Sequence, residues 1–244
     1  MKFAVIADVH GNASALKAVL SELDNHSNIE RIYCVGDMIG IGPDTNEVLE
    51  ILFARQDVSM ITGNHDEAIL SLAKGEEHPR NHAHVKVHHQ WIADQMDKKY
   101  IPKLEDLPRT INQMIEGKSV LFIHYHMDKE KWKAPISQSP FSRIVEPSLE
   151  NICNLFKDRS EHLICFGHHH PTHFFQNNET IYLNPGSLGC HTKPIARYSI
   201  VSIDDGQFSV SLKEVSYENK VFLESFELLK VPAREVILSA FYGR

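Results

Sequence analysis

The chain carries KFAVIADVHGNASALKAVLSELDN over residues 2–25. Residues 2–7 are an apolar run of strand length, and residues 13–25 repeat apolar side chains at helical spacing. A polar segment, DVHGN at residues 8–12, separates the two. The pattern predicts a strand that ends in a polar loop and is followed by a helix, which is the repeating unit of α/β proteins.

The same alternation continues along the chain. Further strands are predicted over residues 31–35, 58–62, 119–124 and 163–166, and a second helix over residues 44–54. In the second half, residues 109–115, 172–182, 197–203 and 207–215 have the pattern of hairpin arms, and residues 218–229 and 232–242 that of short amphipathic helices. These patterns predict a mixed sheet or two stacked sheets in one domain over residues 1–244, since no linker divides the chain.

Composition limits the class of protein. The 244 residues, with 42% hydrophobic content, can bury the core of one large domain. The net charge of −7, with His counted as neutral, disfavours a nonspecific nucleic-acid surface, because backbone binding relies on clustered Lys and Arg. Asp8 interrupts the first apolar run before a signal-peptide core could form, no run approaches a membrane span, and the four cysteines show no CxxC spacing. A cytoplasmic location is expected.

Short polar clusters follow the predicted strands. They are DVHGN at 8–12, GD at 36–37, GNHD at 63–66, His124, and GHHH at 167–170. The carboxyl ends of strands in open α/β sheets line one crevice, so clusters that are distant in sequence can converge. On extended backbone, residues two apart point to the same side, which is expected to align Asp8 with His10 and His168 with His170.

The clusters combine imidazole nitrogens with carboxylate and amide oxygens, without cysteine. Such donors suit divalent transition metals, and two ions about 3.5–4 Å apart supply what phosphate-ester hydrolysis needs. A single Asp or His at a strand end is more often an exposed loop residue or a cap than a metal ligand. The occurrence of all the clusters together therefore carries the prediction of a dinuclear site.

The ordered motifs resemble those of the calcineurin-like metallophosphoesterase superfamily, whose pattern is DxH, GDxxG, GNHD, a lone His and GHxH. The match spans residues 1–188, and the contexts GDMIGIGPD at 36–44 and NPGS at 184–187 are similar to the small bacterial and archaeal phosphodiesterase-like branch. The resemblance implies an α/β (α+β) fold, a four-layer α/β/β/α sandwich of two mixed sheets flanked by helices, with the site at one end.

The resemblance also implies which residues bind metal. The first ion would be bound by Asp8, His10, Asp37 and His170. The second would be bound by Asn64, His124, His168 and the bridging Asp37. A metal-bridging hydroxide would attack phosphorus in line, and the neutral amide of Asn64 would keep the charge of the site low enough to accept an anionic substrate.

Three further motif residues have implied roles beside the metals. His65 would donate a proton to the leaving group or stabilise the phosphoryl oxygens, with Asp66 orienting its imidazole. Asp66 could equally cap a helix predicted over residues 67–73, and Asn12 could equally cap the first helix or donate to the phosphate. Both pairs of alternatives stay open from the sequence.

Residues 70–108 are expected to form a cap segment over the site. Five histidines lie there between Gly75 and Gln90, namely His78, His82, His84, His88 and His89. A solvated helix face is one interpretation, and imidazole contacts with the substrate are the other. The sequence leaves the roles of His126 and His191 undecided in the same way.

The resemblance implies metal-dependent hydrolysis of a small phosphoester, a phosphodiester or nucleotide-like compound first and a generic phosphomonoester second. A Ser/Thr protein phosphatase is disfavoured, because Gly40 and Gly42 occupy the region where those relatives have Arg, and Asp66 follows His65 where they have Glu. A noncatalytic metal-binding scaffold and a DNA-processing nuclease are the alternatives on the same fold. Two divalent ions are expected, manganese first, with iron, zinc, cobalt or nickel as alternatives, and no membrane partner.

Overall fold

The computed structural model describes residues 1–26 and 28–244. The strands within these ranges are β1 (Lys2–Ile6), β2 (Arg31–Cys34), β3 (Val58–Met60), β4 (Thr110–Ile115), β5 (Lys118–Ile123), β6 (Leu163–Cys165), β7 (His173–Gln176), β8 (Ile181–Asn184), β9 (Ile195–Asp204) and β10 (Gln207–Ser216). The α-helices are α1 (Ala13–Asp24), α2 (Thr45–Ala54), α3 (Asn64–Ala73), α4 (Lys86–Gln95), α5 (Ile101–Glu105), α6 (Leu149–Leu155), α7 (Lys220–Leu228) and α8 (Arg234–Tyr242).

The strands form two mixed sheets of five strands each. The first has the order β10-β9-β1-β2-β3. Strands β1, β2 and β3 are parallel to one another, and β9 is antiparallel to both of its neighbours, β1 and β10. The second has the order β4-β5-β6-β8-β7, with β5, β6 and β8 parallel and an antiparallel strand at each edge. Each sheet therefore has a parallel part whose carboxyl ends share one edge.

Apolar side chains fill the space between the two sheets. Phe3 and Tyr33 of the first sheet pack against Phe122 of the second, and the rings of Tyr33 and Phe122 stack with centroids 3.7 Å apart. The outer face of the first sheet is covered by α1, α2 and α4, and that of the second by α6. This arrangement confirms the four-layer α/β/β/α sandwich.

Most predicted elements are confirmed with ends shifted by one or two residues. The exception that matters for the site is α3, which was expected to begin at residue 67 and begins at Asn64. The GNHD motif thus forms the start of a helix, in which the Asp66 carboxylate accepts the N–H of the N-cap residue Gly63. Of the helices within the described residues, none has the length and apolar character needed to cross a membrane.

Candidate metal centre

The seven residues expected to bind metal converge at one end of the sandwich. Each follows the carboxyl end of a strand in the parallel part of a sheet. After the strands of the first sheet come Asp8, His10, Asp37 and Asn64, and after those of the second come His124, His168 and His170. All are buried except His168 and His170, which are half-buried. The sheet topology therefore assembles residues that lie up to 162 positions apart, counted from Asp8 to His170.

One half of the cluster surrounds the Nε2 atom of His10. This atom lies 3.0 Å from His170 Nε2, 3.7 Å from Asp8 Oδ1 and 3.8 Å from Asp37 Oδ2. Two imidazole nitrogens and two carboxylate oxygens thus face one small volume. These are the four side chains expected at the first ion.

The other half surrounds the Nε2 atom of His124. It lies 2.9 Å from Asn64 Oδ1 and 3.2 Å from Asp37 Oδ2, and ligand atoms of Asp37, His124 and His168 all lie within 4.8 Å of one another. The same Oδ2 atom of Asp37 faces both His10 and His124. Asp37 therefore joins the two halves.

The backbone of the cluster differs from the expected extended conformation. Asp8, His10, Asp37 and His168 have φ angles of +54°, +50°, +51° and +69°. Left-handed backbone costs a non-glycine residue about 1–3 kcal/mol and is concentrated at functional sites. The alternation rule was wrong here because these residues lie beyond the strand ends, where the chain turns. The turn brings the His168 N–H within 3.1 Å of both carboxylate oxygens of Asp8.

The neighbouring loop is shaped around Asp37. A Cβ atom at Gly63 would overlap the Asp37 carboxylate, so only glycine allows this close approach. On the other side, the His65 N–H donates to Asp37 Oδ1 over 2.8 Å. One oxygen of Asp37 is thus held by the backbone while the other faces the two histidines.

Backbone carbonyls orient two of the imidazoles. His10 Nδ1 lies 3.3 Å from the Ile39 carbonyl and His124 Nδ1 lies 2.9 Å from the Val35 carbonyl. Because a carbonyl only accepts, each Nδ1 carries a proton, and a neutral ring directs the lone pair of Nε2 into the site. In neutral His124 that lone pair would face oxygen lone pairs of Asn64 and Asp37. A cation between these atoms removes the conflict, so the donor set fits a divalent metal.

The pKa values of the candidate ligands are consistent with a site that binds a divalent metal. Burial raises the pKa of Asp8 to about 7, and burial lowers the pKa of His10 to about 4 and that of His168 to about 3. For His124, burial alone would lower the pKa, but the charge and hydrogen bond of Asp37, the charge of Asp8 and the Val35 carbonyl together outweigh it and raise the pKa to about 9. In the metal-free protein a proton on His124 therefore balances the charge of the site.

Asp66 and Asn12 bind atoms of the protein. The Asp66 carboxylate accepts the N–H groups of Gly63 and Ile39 over 2.9 and 3.1 Å, and the structure pairs His65 with His89 rather than with Asp66. Asn12 is the N-cap of α1: its Oδ1 accepts the Ala15 N–H. Its Nδ2 donates to the Gly189 carbonyl and the Tyr217 hydroxyl. Both side chains therefore make capping contacts, while their suggested roles beside the metals stay predictions.

The histidines whose roles the sequence left open differ in whether they approach the candidate centre. His126 contacts Ser142 and Asp158, and His191 contacts Lys193 and Arg197, so both belong to separate hydrogen-bonded groups. In the segment 70–108, His84 is exposed, and His88 lies 3.0 Å from the Ile41 carbonyl. His82 and His89 instead approach His65, with ring centroids 5.7 and 4.9 Å away.

Cys190 is a residue that the motifs did not indicate. Its Sγ and the ring nitrogens of His10 and His170 lie within 4.8 Å of one another, so a thiol from outside the motifs lies beside the candidate centre. The available signal was its place shortly after the NPGS segment at 184–187, whose Ser187 hydroxyl accepts the Cys190 N–H.

The fold and the cluster are those of a metallophosphoesterase. Residues 1–206 match the calcineurin-like phosphoesterase superfamily domain, and the chain belongs to this superfamily. An uncharacterized protein of Methanocaldococcus jannaschii, MJ0912, is 27% identical over 246 residues, which cover 94% of this chain and 93% of that protein.

Two crystal structures share the fold along nearly the whole chain. The hypothetical protein PH1004 from Pyrococcus horikoshii has a TM-score of 0.78 at 21% identity and covers 100% of this chain and 98% of its own. A metallophosphoesterase from Sphaerobacter thermophilus has a TM-score of 0.72 at 22% identity, with 98% of both chains covered. A symmetrical bis(5'-nucleosyl)-tetraphosphatase of Chromobacterium violaceum is 28% identical over 126 residues, which are 51% of this chain and 43% of that protein.

Proposed function

We propose that this protein hydrolyses a small phosphoester, a phosphodiester or nucleotide-like compound, at a dinuclear metal centre. The observation that carries the proposal is the position of Asp37, whose Oδ2 atom lies 3.8 Å from His10 Nε2 and 3.2 Å from His124 Nε2. One carboxylate facing two ligand sets suits a pair of ions that share it. Membership of the superfamily supports the same chemistry.

Each residue of the cluster has a role in this proposal. Asp8, His10, His170 and Asp37 would hold one ion, and Asn64, His124, His168 and Asp37 would hold the other. When bound, the metal pair would supply the activated nucleophile and neutralise charge on the phosphoryl group. The imidazole of His65, which lies edge-on to His10 with centroids 5.1 Å apart, donates a proton to the leaving group.

A cavity beside the cluster suggests the class of substrate. It has a volume of about 290 Å³ and extends from Asn64 and His168 to His82, Phe141 and Arg143. An arginine attracts a phosphate, and an aromatic ring offers a face to a base or aryl group. The imidazole of His82 lines the same cavity and adds a polar group to its wall.

The walls of this cavity leave room for an organic group beyond the phosphate. Pro79, Asn81 and His82 come from the segment 70–108, which we infer acts as the cap of the site. A diester or a nucleotide extends beyond the phosphate into such a cavity, whereas a small phosphomonoester does not need it. The partial similarity to a bis(5'-nucleosyl)-tetraphosphatase supports the nucleotide-like choice.

Turnover by manganese-loaded protein tests the proposal. Bis(p-nitrophenyl) phosphate should be cleaved with a higher kcat/KM than p-nitrophenyl phosphate, and Asp37→Ala should lower kcat by at least about a thousandfold. Asp94→Ala, a substitution of an exposed carboxylate on α4, is the control and should leave turnover unchanged. Preference for the monoester would favour a phosphomonoesterase, and full activity of Asp37→Ala would overturn the proposal.

A further inference from the structure

Three histidines form a hydrogen-bonded chain that leads from the candidate centre into the segment 70–108. His65 Nδ1 lies 2.9 Å from His89 Nε2, and His89 Nδ1 lies 2.9 Å from His78 Nε2. His89 and His78 are buried, and they belong to α4 and to the loop after α3. Neither lies in a motif, and neither faces the metal ligands directly.

The chain has a direction that follows from the chemistry of imidazole. Burial lowers the pKa of His89 to about 2, so this ring is neutral, with one N–H donor and one acceptor nitrogen. A His65 ring that gives its Nε2 proton to a leaving group keeps a proton on Nδ1, so Nδ1 donates and His89 Nε2 accepts. The neutral His89 ring then has its own proton on Nδ1, which donates to His78 Nε2.

We propose that His89, itself oriented by His78, is the positioning residue of His65. It accepts the Nδ1–H of His65, so the doubly protonated ring can release its Nε2 proton to the leaving-group oxygen and remain as the neutral ring with its proton on Nδ1. The catalytic consequence rests on the proposed function, in which His65 serves the leaving group. The neutral imidazole of His89 thus has the place that the sequence suggested for the carboxylate of Asp66.

The surroundings of His65 are shaped for one ring orientation. A Cβ atom at Gly40, whose φ is +122°, would lie 2.8 Å from His65 Nδ1, so glycine leaves room for the ring and its partner. The ring of His82 stacks on that of His65 at 21° between planes. An acceptor at Nδ1 is what an imidazole needs if its Nε2 is to hold a proton and release it to an oxygen.

The tautomer of His65 can be measured without turnover. Long-range ¹H–¹⁵N NMR of zinc-loaded protein with ¹⁵N-labelled histidine should show the proton of His65 on Nδ1, the His65 signals being assigned with a His65→Gln variant. In His89→Leu the Nδ1 proton should lose its partner, and a mixture of tautomers should result. His88→Gln is the matched control, because His88 is a buried neighbour on the same helix that contacts the Ile41 carbonyl instead.

Leaving-group dependence gives the second readout. His89→Leu should lower kcat by about tenfold or more for an ester of phenol, a poor leaving group, and by no more than about twofold for an ester of 2,4-dinitrophenol, which leaves without a proton. His89→Gln, whose amide oxygen can accept from His65, should recover most of the loss. Thermal unfolding of each variant checks that the fold is retained.

The outcomes separate this inference from the proposed function. An unchanged His65 tautomer in His89→Leu, or an equal loss for both leaving groups, would overturn the positioning role. A wild-type protein that cleaves neither ester would refute the proposed function, while the NMR result would still decide whether His89 fixes the ring of His65.

Discussion

The Nε2 atom of His124 lies 3.2 Å from Asp37 Oδ2, while Nδ1 of the same ring lies 2.9 Å from the Val35 carbonyl. The carbonyl determines which nitrogen faces the site, and the carboxylate determines its affinity for a cation. A proton and a metal ion therefore compete for His124 Nε2. This competition makes metal binding dependent on pH.

Metal loading should release protons. Although burial opposes it, Asp37 raises the pKa of His124 to about 9, so the ring is protonated at pH 7 in the metal-free protein. Asp8, whose pKa burial raises to about 7, is partly protonated as well. Binding must displace these protons, so metal affinity should rise with pH up to about 9 and fall as the pH drops.

Calorimetric titration with zinc at pH 7, in buffers of different ionisation enthalpy, measures this exchange. A plot of the observed binding enthalpy against the ionisation enthalpy of the buffer should have a slope that corresponds to about one to two protons released per chain. A slope of zero would mean that metal binding displaces no proton from His124 or Asp8 into the buffer.

A carboxylate in place of the Asn64 amide should weaken the hydrolysis of an anionic phosphodiester. Asn64→Asp keeps an oxygen at 2.9 Å from His124 Nε2 and adds a charge. We expect metal content to be retained and kcat/KM for a phosphodiester to fall by at least about tenfold, because like charges repel at short range. Asn178→Asp, in the exposed loop between β7 and β8, is the control. An Asn64→Asp protein as active as the wild type would contradict the role assigned to the neutral ligand.

The convergence of the candidate ligands could be predicted from the sequence because each follows a strand, and parallel strands bring their carboxyl ends to one edge. Asp37 and His124 are 87 positions apart and follow strands of different sheets, so the packing of the two sheets makes them neighbours. The conformation of Asp8 and His168 could not be predicted in this way, since the alternation rule ends with the strand. Left-handed backbone there depends on the loops that pack against it.

The contacts of His89 and Cys190 could not be predicted from the sequence either. His89 reaches His65 because α4 packs against α3, and helix packing is not encoded in the spacing of a single histidine. Asp66 was ambiguous for a related reason: only the start of α3 at Asn64 decides that its carboxylate lies in the first turn. Motifs indicate donors, whereas the partners of those donors follow from tertiary packing.

Asn12 should matter for stability more than for turnover. Its side chain caps α1 and donates to Gly189 and Tyr217, so Asn12→Ala should lower the free energy of unfolding by about 1–3 kcal/mol. For a domain of this size that is a decrease in Tm of several degrees, roughly 2–4 °C per kcal/mol. The kcat of the folded fraction should stay within about twofold of the wild type. A raised KM with an unchanged Tm would instead identify Asn12 as a substrate ligand.

Arg143 should contribute to substrate binding. It lines the cavity beside Asn64 and His168, so Arg143→Gln should raise KM for a phosphodiester by about threefold to tenfold with little change in kcat. The difference from the wild type should shrink as salt is added, because exposed charges are screened. Lys131→Gln removes an exposed cation elsewhere and should change neither parameter. Equal kinetics for Arg143→Gln and the wild type would place the substrate outside this cavity.

Anomalous diffraction from crystals of the manganese-loaded protein tests the central claim most directly. We predict two peaks per chain, about 3.5–4 Å apart. One should be bound by Asp8, His10 and His170, the other by Asn64, His124 and His168, with Asp37 contacting both. A single peak, or two peaks without Asp37 between them, would contradict the account.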